Sequence, residues 1–117
     1  MDGIGTDIVT ISRVAHWADD NDALDFIYTV NERALALKGR HPFRHLAAAF
    51  AVKEAFMKAV GTGWGGGVQW KDIEMRVENG RVSVQLYNRA KELCCERTVF
   101  ADANCAGDLA VAFVVID

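Results

Sequence analysis

Apolar and polar positions along the chain follow two periods, and the changes of period divide it into elements. Gly3 to Ile11 reads GIGTDIVTI, a β-branched run with one acid, Asp7, inside it, and predicts a buried first strand. Thr10 or Ser12 is placed to cap a helix running to about Ala18, with Val14 and Trp17 inward and Arg13 near its start, and the acidic DDND stretch ends it. Leu24 to Tyr28 predicts a short apolar turn or helix. Thr29 and Glu32 have capping-box spacing and open a helix to Lys38, with Gly39 just past its end. From Pro42 to Val60 apolar residues recur three and four apart; proline at the first position and Gly61 after the last mark one long helix. Ile73, Met75 and Val77 then alternate with charged residues, Asn79-Gly80 supplies a two-residue turn, and Val82, Val84 and Leu86 alternate again, which predicts a hairpin. Asn88 to Arg97 predicts an amphipathic helix with Ala90, Leu93 and Cys94 inward. Thr98 to Ala101 and Leu109 to Ile116 predict two strands around the turn-rich DANCAGD. The last strand, almost wholly apolar, belongs at the centre of a sheet or at a contact between subunits. Strands and helices succeed one another without strict βαβ alternation, so the predicted fold class is α+β.

Composition narrows this picture. The 117 residues, 51% apolar, fit one domain, 1–117, with a core that needs no metal or disulfide staple. A formal charge of −3 argues against a general binder of nucleic acid or of membrane surfaces. No stretch approaches the roughly 20 apolar residues of a membrane span, and the amino terminus has no basic region of the kind a signal peptide needs. Cys94, Cys95 and Cys105 show no CxxC or Cys/His spacing, so neither a disulfide framework nor a structural zinc site is predicted, and free thiols suit a reducing cytoplasm. His16, His41 and His45 also stand outside any ligand spacing.

The long helix carries the candidate chemistry. Its middle, Phe50 to Ala59, reads FAVKEAFMKA; each helical residue advances about 100°, so Glu54 and Lys58 point the same way. Followed backwards, their stripe contains Ala51 and Ala47, whose small side chains leave room beside the charges for something other than protein. A neighbouring stripe of Phe43, Leu46, Phe50 and Met57 faces a core, interrupted by Lys53. A Glu four residues before a Lys is also the ordinary helix surface pair, contributing roughly 0.2–0.5 kcal/mol, and spacing alone does not separate the two readings. Asp7, in an apolar strand, must be paired, hydrogen-bonded or bound to a metal, unless it lies at the strand end and caps the next turn. The run GTGWGGG, Gly61 to Gly67, follows a helix C-terminus and lacks the Walker lysine, so it is no P-loop. It reads as a hinge whose amides can also line a ligand groove. Arg40, His41, Arg44 and His45 form a basic cluster around Pro42.

GIGTDIV at Gly3 to Val9, LAAAFAVKEAFMKAVGTG at Leu46 to Gly63 and WKDIE at Trp70 to Glu74, in this order and spacing, resemble the holo-acyl carrier protein synthases, the small group of 4'-phosphopantetheinyl transferases. The resemblance implies a single domain in which an antiparallel sheet packs against a long central helix. It implies Mg²⁺-dependent transfer of 4'-phosphopantetheine from coenzyme A to a serine of an apo acyl carrier protein, with release of adenosine 3',5'-bisphosphate. Asp7, Glu54 and Lys58 match the family's catalytic residues: Asp7 and Glu54 as the metal carboxylates, Lys58 as the lysine beside the coenzyme A phosphates. Gly61, Gly63 and Cys105 fall where coenzyme A is bound. Arg13 matches an arginine on the surface that meets the carrier protein, and Arg40 and Arg44 extend it. A cytoplasmic homotrimer with coenzyme A between subunits is also implied. The chain departs from the family at Ala49, where an arginine is usual, at Asp102 to Cys105, where SxSH is common, and around Phe26 and Val30, where many members carry arginines. The alternative reading is therefore a non-catalytic member that binds a carrier protein or a coenzyme A thioester as a trimeric scaffold. A third is an enzyme with Cys105 as nucleophile.

Overall fold

A computed structural model describes residues 2–61 and 66–117. Its first strand, β1 (Gly3–Thr10), turns directly into α1 (Ile11–His16). Thr10 holds the N-cap position without a side-chain bond. The cap comes from the far end of the chain: Asp108 accepts from the Ser12 backbone N–H at 3.0 Å and from its hydroxyl at 2.6 Å. The DDND stretch does more than end that helix, because Asp20 accepts from the backbone N–H groups of Asp22 and Ala23 and so starts α2 (Asn21–Ile27). The predicted Thr29/Glu32 capping box opens α3 (Val30–Lys38). Gly39 follows in an extended conformation, φ −84° and ψ 166°, so the helix ends without the left-handed glycine expected there. The long helix α4 (Pro42–Val60) has both predicted ends, with proline in its first turn and Gly61 left-handed at φ +79°.

A short 3₁₀ turn, Trp70–Asp72, leads into the hairpin β2 (Ile73–Glu78) and β3 (Arg81–Leu86). Asn79 and Gly80 both take positive φ, 52° and 74°, as a two-residue hairpin turn demands. Helix α5 (Asn88–Cys94) is shorter than predicted, since Cys95 turns to φ +53° and breaks it. The last hairpin pairs β4 (Val99–Ala106) with β5 (Leu109–Ile116), so DANC is strand rather than turn. Its polar letters are the outward half of an alternation in which Ala101, Ala103 and Cys105 point inward.

The main sheet is antiparallel in the order β1-β5-β4, with the predicted apolar strand β5 at its centre. Helix α4 covers its inner face at close range. A Cβ added to Gly5 would stand 1.9 Å from the Ala55 carbonyl oxygen, and one added to Gly3 would stand 2.1 Å from that of Ala59. The glycines of GIG thus admit the helix backbone to the strand. Ala47 and Ala51, read above as leaving room for a ligand, are wholly buried; their small side chains make room for protein. Leu46, Phe50 and Met57 face the core as expected, but Phe43, at the first turn, is exposed. Phe50 stacks on Trp70 at 5.0 Å and meets the edge of Trp17 at 5.2 Å, which fixes α1 and the 3₁₀ turn against α4. The outer face of the sheet is uncovered and carries Ile4, Ile8, Phe100, Leu109, Val111 and Phe113. No helix among the described residues is long and apolar enough to cross a membrane.

Candidate active site

Alternation along β1 sends Gly3, Gly5, Asp7 and Val9 toward α4 and Ile4, Thr6, Ile8 and Thr10 away from it. Gly3 lies beside Ala59 and Gly5 beside Ala55. Two strand residues span about 7 Å and four helical residues about 6 Å, so Asp7 comes alongside the turn begun by Ala51, which carries Glu54. Lys58, one turn further on, reaches back: its Nζ donates to Asp7 Oδ1 at 3.0 Å and to the Thr6 carbonyl at 2.9 Å. Asp7 is mid-strand, opposite Ala112, and is paired rather than capping a turn. Its side chain is 16% exposed and that of Lys58 is 55% exposed, so the pair opens to solvent on the ammonium side. Glu54 is half-buried on the same helix face.

Two carboxylates and an ammonium within about one helical turn can hold a divalent cation on hard oxygens, with an anionic ligand beside the ammonium. No cluster of three His, Cys, Asp or Glu side chains suited to a metal occurs among the described residues. A cation held by Asp7 and Glu54 would have two protein carboxylates, with its other positions open to water or substrate. That donor set fits Mg²⁺, which keeps several waters and accepts phosphate oxygens.

Of the remaining candidates, Arg40, Arg44 and Cys105 lie near the amino-terminal end of α4. Arg40 and Arg44 border a shallow recess of about 380 Å³ together with Ile11, His41, Pro42 and Phe43. Arg13, on α1, is exposed, its guanidinium 5.8 Å from the centre of the Phe50 ring. Cys105, on the inner face of β4, donates its thiol to the Arg44 carbonyl at 3.6 Å. Burial pushes that thiol up, against the pull of the Arg44 guanidinium, which disfavours the thiolate a nucleophile needs. Asp102 and Asn104 project from the opposite face of β4, and Ala49 is wholly buried. Along α4, Arg44 is about 15 Å from Glu54 and about 21 Å from Lys58. Arg44, bonded through its carbonyl to Cys105, therefore stands apart from Glu54 and Lys58 within one chain. Gly61 supplies the left-handed end of α4; Gly63 lies outside the described residues.

Sequence reasoning missed a buried polar node. Lys53, read as an interruption of an apolar stripe, is wholly buried and pairs with the equally buried Glu32 at 2.8 Å. Its other two protons go to the carbonyls of Trp70, at 3.0 Å, and Ile73. Burial lowers its pKa, and Glu32 opposes that shift. In WKDIE, Asp72 accepts from the Gln69 backbone and the Asn88 amide, while Glu74, 2% exposed, accepts from Thr29, Arg76, Tyr87 and Asn31. Burial raises the Glu74 pKa, but those bonds outweigh it and hold the carboxyl below its usual range. The acids of that motif are structural, and only their spacing with Thr29 and Lys53 in three dimensions reveals it.

The model of the 4'-phosphopantetheinyl transferase superfamily matches residues 3–114. The chain belongs to this superfamily, among the holo-acyl-carrier-protein synthases. The holo-acyl-carrier-protein synthase of Geobacter sp. (strain M21) is 39% identical, over 98% of this chain and 97% of its own length. That of Geotalea daltonii is 36% identical at the same coverages. Among solved structures, the synthase of Neisseria meningitidis superposes with a TM-score of 0.87 at 31% identity, covering all of this chain and 98% of the other. The Bacillus anthracis synthase, solved in complex with CoA (3',5'-ADP), gives 0.83 at 33% identity over 98% and 95% of the two chains. The holo-acyl-carrier-protein synthase resemblance and the α+β fold class read from the sequence are both borne out, and the chain is a transferase of this group.

Proposed function

We propose that the chain transfers 4'-phosphopantetheine from coenzyme A to a serine of an apo acyl carrier protein in a Mg²⁺-dependent reaction. The observation that carries this reading is the contact of Lys58 with Asp7, one turn from Glu54, in the fold of the holo-acyl-carrier-protein synthases. Asp7 and Glu54 would hold Mg²⁺, which supplies charge neutralisation at the coenzyme A diphosphate. The serine oxygen attacks the phosphorus that bears pantetheine, the bridging P–O bond breaks, and adenosine 3',5'-bisphosphate leaves while the serine hydroxyl gives up its proton. The Lys58 ammonium, held by Asp7 and the Thr6 carbonyl, lies where it stabilises charge developing on the departing phosphate.

The separation of the two clusters supports an assembly of copies. With Arg44 about 15 Å along α4 from Glu54 and about 21 Å from Lys58, coenzyme A bound between subunits meets Asp7, Glu54 and Lys58 of one copy and Cys105 and the basic residues of another. The uncovered apolar face of the sheet is the surface through which copies join, as a homotrimer. Arg13, Arg40 and Arg44 form the basic surface that receives an acidic carrier protein, with Gly61 and Gly63 beside coenzyme A, all in the cytoplasm. The test follows coenzyme A, Mg²⁺ and an apo carrier protein to release of adenosine 3',5'-bisphosphate. Release in step with carrier modification is expected. Coenzyme A binding without release supports the non-catalytic scaffold instead, which the wholly buried Ala49, in the place of a usual arginine, favours.

A further inference from the structure

We propose that the buried Lys53–Glu32 pair positions the catalytic face of α4, setting the rotation of the helix so that Glu54 and Lys58 meet Asp7; this rests on the metal and phosphate roles given above to those three residues. An ammonium has three protons, and Lys53 places all three: one on Glu32 Oε1 of α3, one on the Trp70 carbonyl of the 3₁₀ turn and one on the Ile73 carbonyl at the start of β2. Glu32 is equally saturated, since Oε1 also accepts from the Thr29 backbone at 2.9 Å and Oε2 accepts from the Met75 backbone at 2.8 Å. The Tyr28 ring closes over the ammonium at 5.9 Å.

Stability does not require such a pair. Well-packed apolar side chains of equal volume fill a core at least as favourably as a buried ion pair. They do not fix direction, whereas three bonds from one atom to three segments fix both the rotation and the height of the residue that carries it. Against the sheet, α4 packs backbone to backbone on Gly3 and Gly5, and a polar contact to β1 there runs through Lys58, itself a member of the site and 55% exposed. Glu54 follows Lys53 in the chain, about 100° further round. Rotational slack at position 53 therefore becomes displacement of the Glu54 carboxylate relative to Asp7, which stands on the sheet.

The test uses Mn²⁺, a hard-oxygen probe followed by electron paramagnetic resonance in the presence of coenzyme A, alongside steady-state transfer to an apo acyl carrier protein. Lys53→Met combined with Glu32→Gln removes both charges and keeps the volumes. Glu32→Gln alone is the milder variant, leaving an acceptor for Lys53 and for the Thr29 cap. Tyr28→Phe removes the bond to the Leu46 carbonyl from the same core without touching the pair, and controls for loss of stability. The double variant is expected to bind Mn²⁺ about tenfold more weakly and to lose about tenfold in kcat, the scale of an outer-shell defect, with KM for the carrier protein unchanged. Glu32→Gln is expected to shift both in the same sense by a smaller factor, and Tyr28→Phe neither. If whichever of the two pair variants folds keeps wild-type Mn²⁺ affinity and kcat, the positioning role is wrong while Asp7 and Glu54 stand. If the wild-type chain itself binds no Mn²⁺, the reading of Asp7 and Glu54 falls, and the inference with it.

Discussion

At the scale of single residues, the site contrasts two uses of a carboxylate. Asp7 keeps contact with solvent and with Lys58, whereas Glu74 is sealed by four donors, Thr29, Asn31, Arg76 and Tyr87. The Glu74 pKa is lowered in the folded protein, so its stabilising contribution is fully present above the unfolded value near 4.3 and is lost as pH falls through the folded one. Glu74→Gln keeps the shape but weakens charge-assisted bonds worth about 1.5–3 kcal/mol each. Urea unfolding should show the variant less stable at pH 7, with the gap closing as the pH is brought below 4. A gap independent of pH would mean that Glu74 is not ionised in the fold. Asp7 and Glu54 could be nominated from sequence because a lone acid in a strand and a Glu/Lys pair in a framed motif are local signals. Lys53 could not, since two of its three partners are backbone carbonyls and all three reach it only through tertiary folding.

At the scale of elements, α4 was legible to the residue because proline, glycine and the apolar period all mark it within the chain itself. The shorter elements were less so. DANC reads as turn by composition, yet its polar residues are the outward half of β4, and α1 takes its cap from Asp108, which no local pattern pairs with Ser12. The close packing of β1 on α4 gives a sharper expectation. Gly5→Ala drives a methyl group into the Ala55 carbonyl, so strand and helix must separate. Overpacking of this kind costs about 1–3 kcal/mol, and displacement of Asp7 from Lys58 should lower transfer in whatever remains folded. A thermal melt coincident with wild type would show that the strand has room to give.

At the scale of the whole molecule, the outward side of β1, β5 and β4 presents an apolar surface with a central phenylalanine, Phe113, opposite Thr6 on one side and Asp102 on the other. Nothing in the chain's own core depends on Phe113, whose side chain is on the exposed face. Phe113→Glu should therefore leave the secondary structure intact by circular dichroism and reduce the mass seen by light scattering to that of one chain, with transfer activity lost alongside. An unchanged mass would move the proposed contact to another face. The sequence pointed to a contact between subunits only through the excess of apolar residues in the last strand, because a single sequence does not distinguish the middle of a sheet from the middle of an assembly. Strand β5 occupies the first of these places and is proposed for the second.

The proposed transfer and its two metal carboxylates are tested together by intact mass spectrometry of an apo acyl carrier protein after incubation with coenzyme A, Mg²⁺ and this chain, run beside its Asp7→Ala and Glu54→Ala variants. The wild-type chain is expected to add one 4'-phosphopantetheine to the carrier, and both variants, folded as wild type by circular dichroism, to add none. A carrier modified at the wild-type rate by either variant would contradict the assignment of those carboxylates.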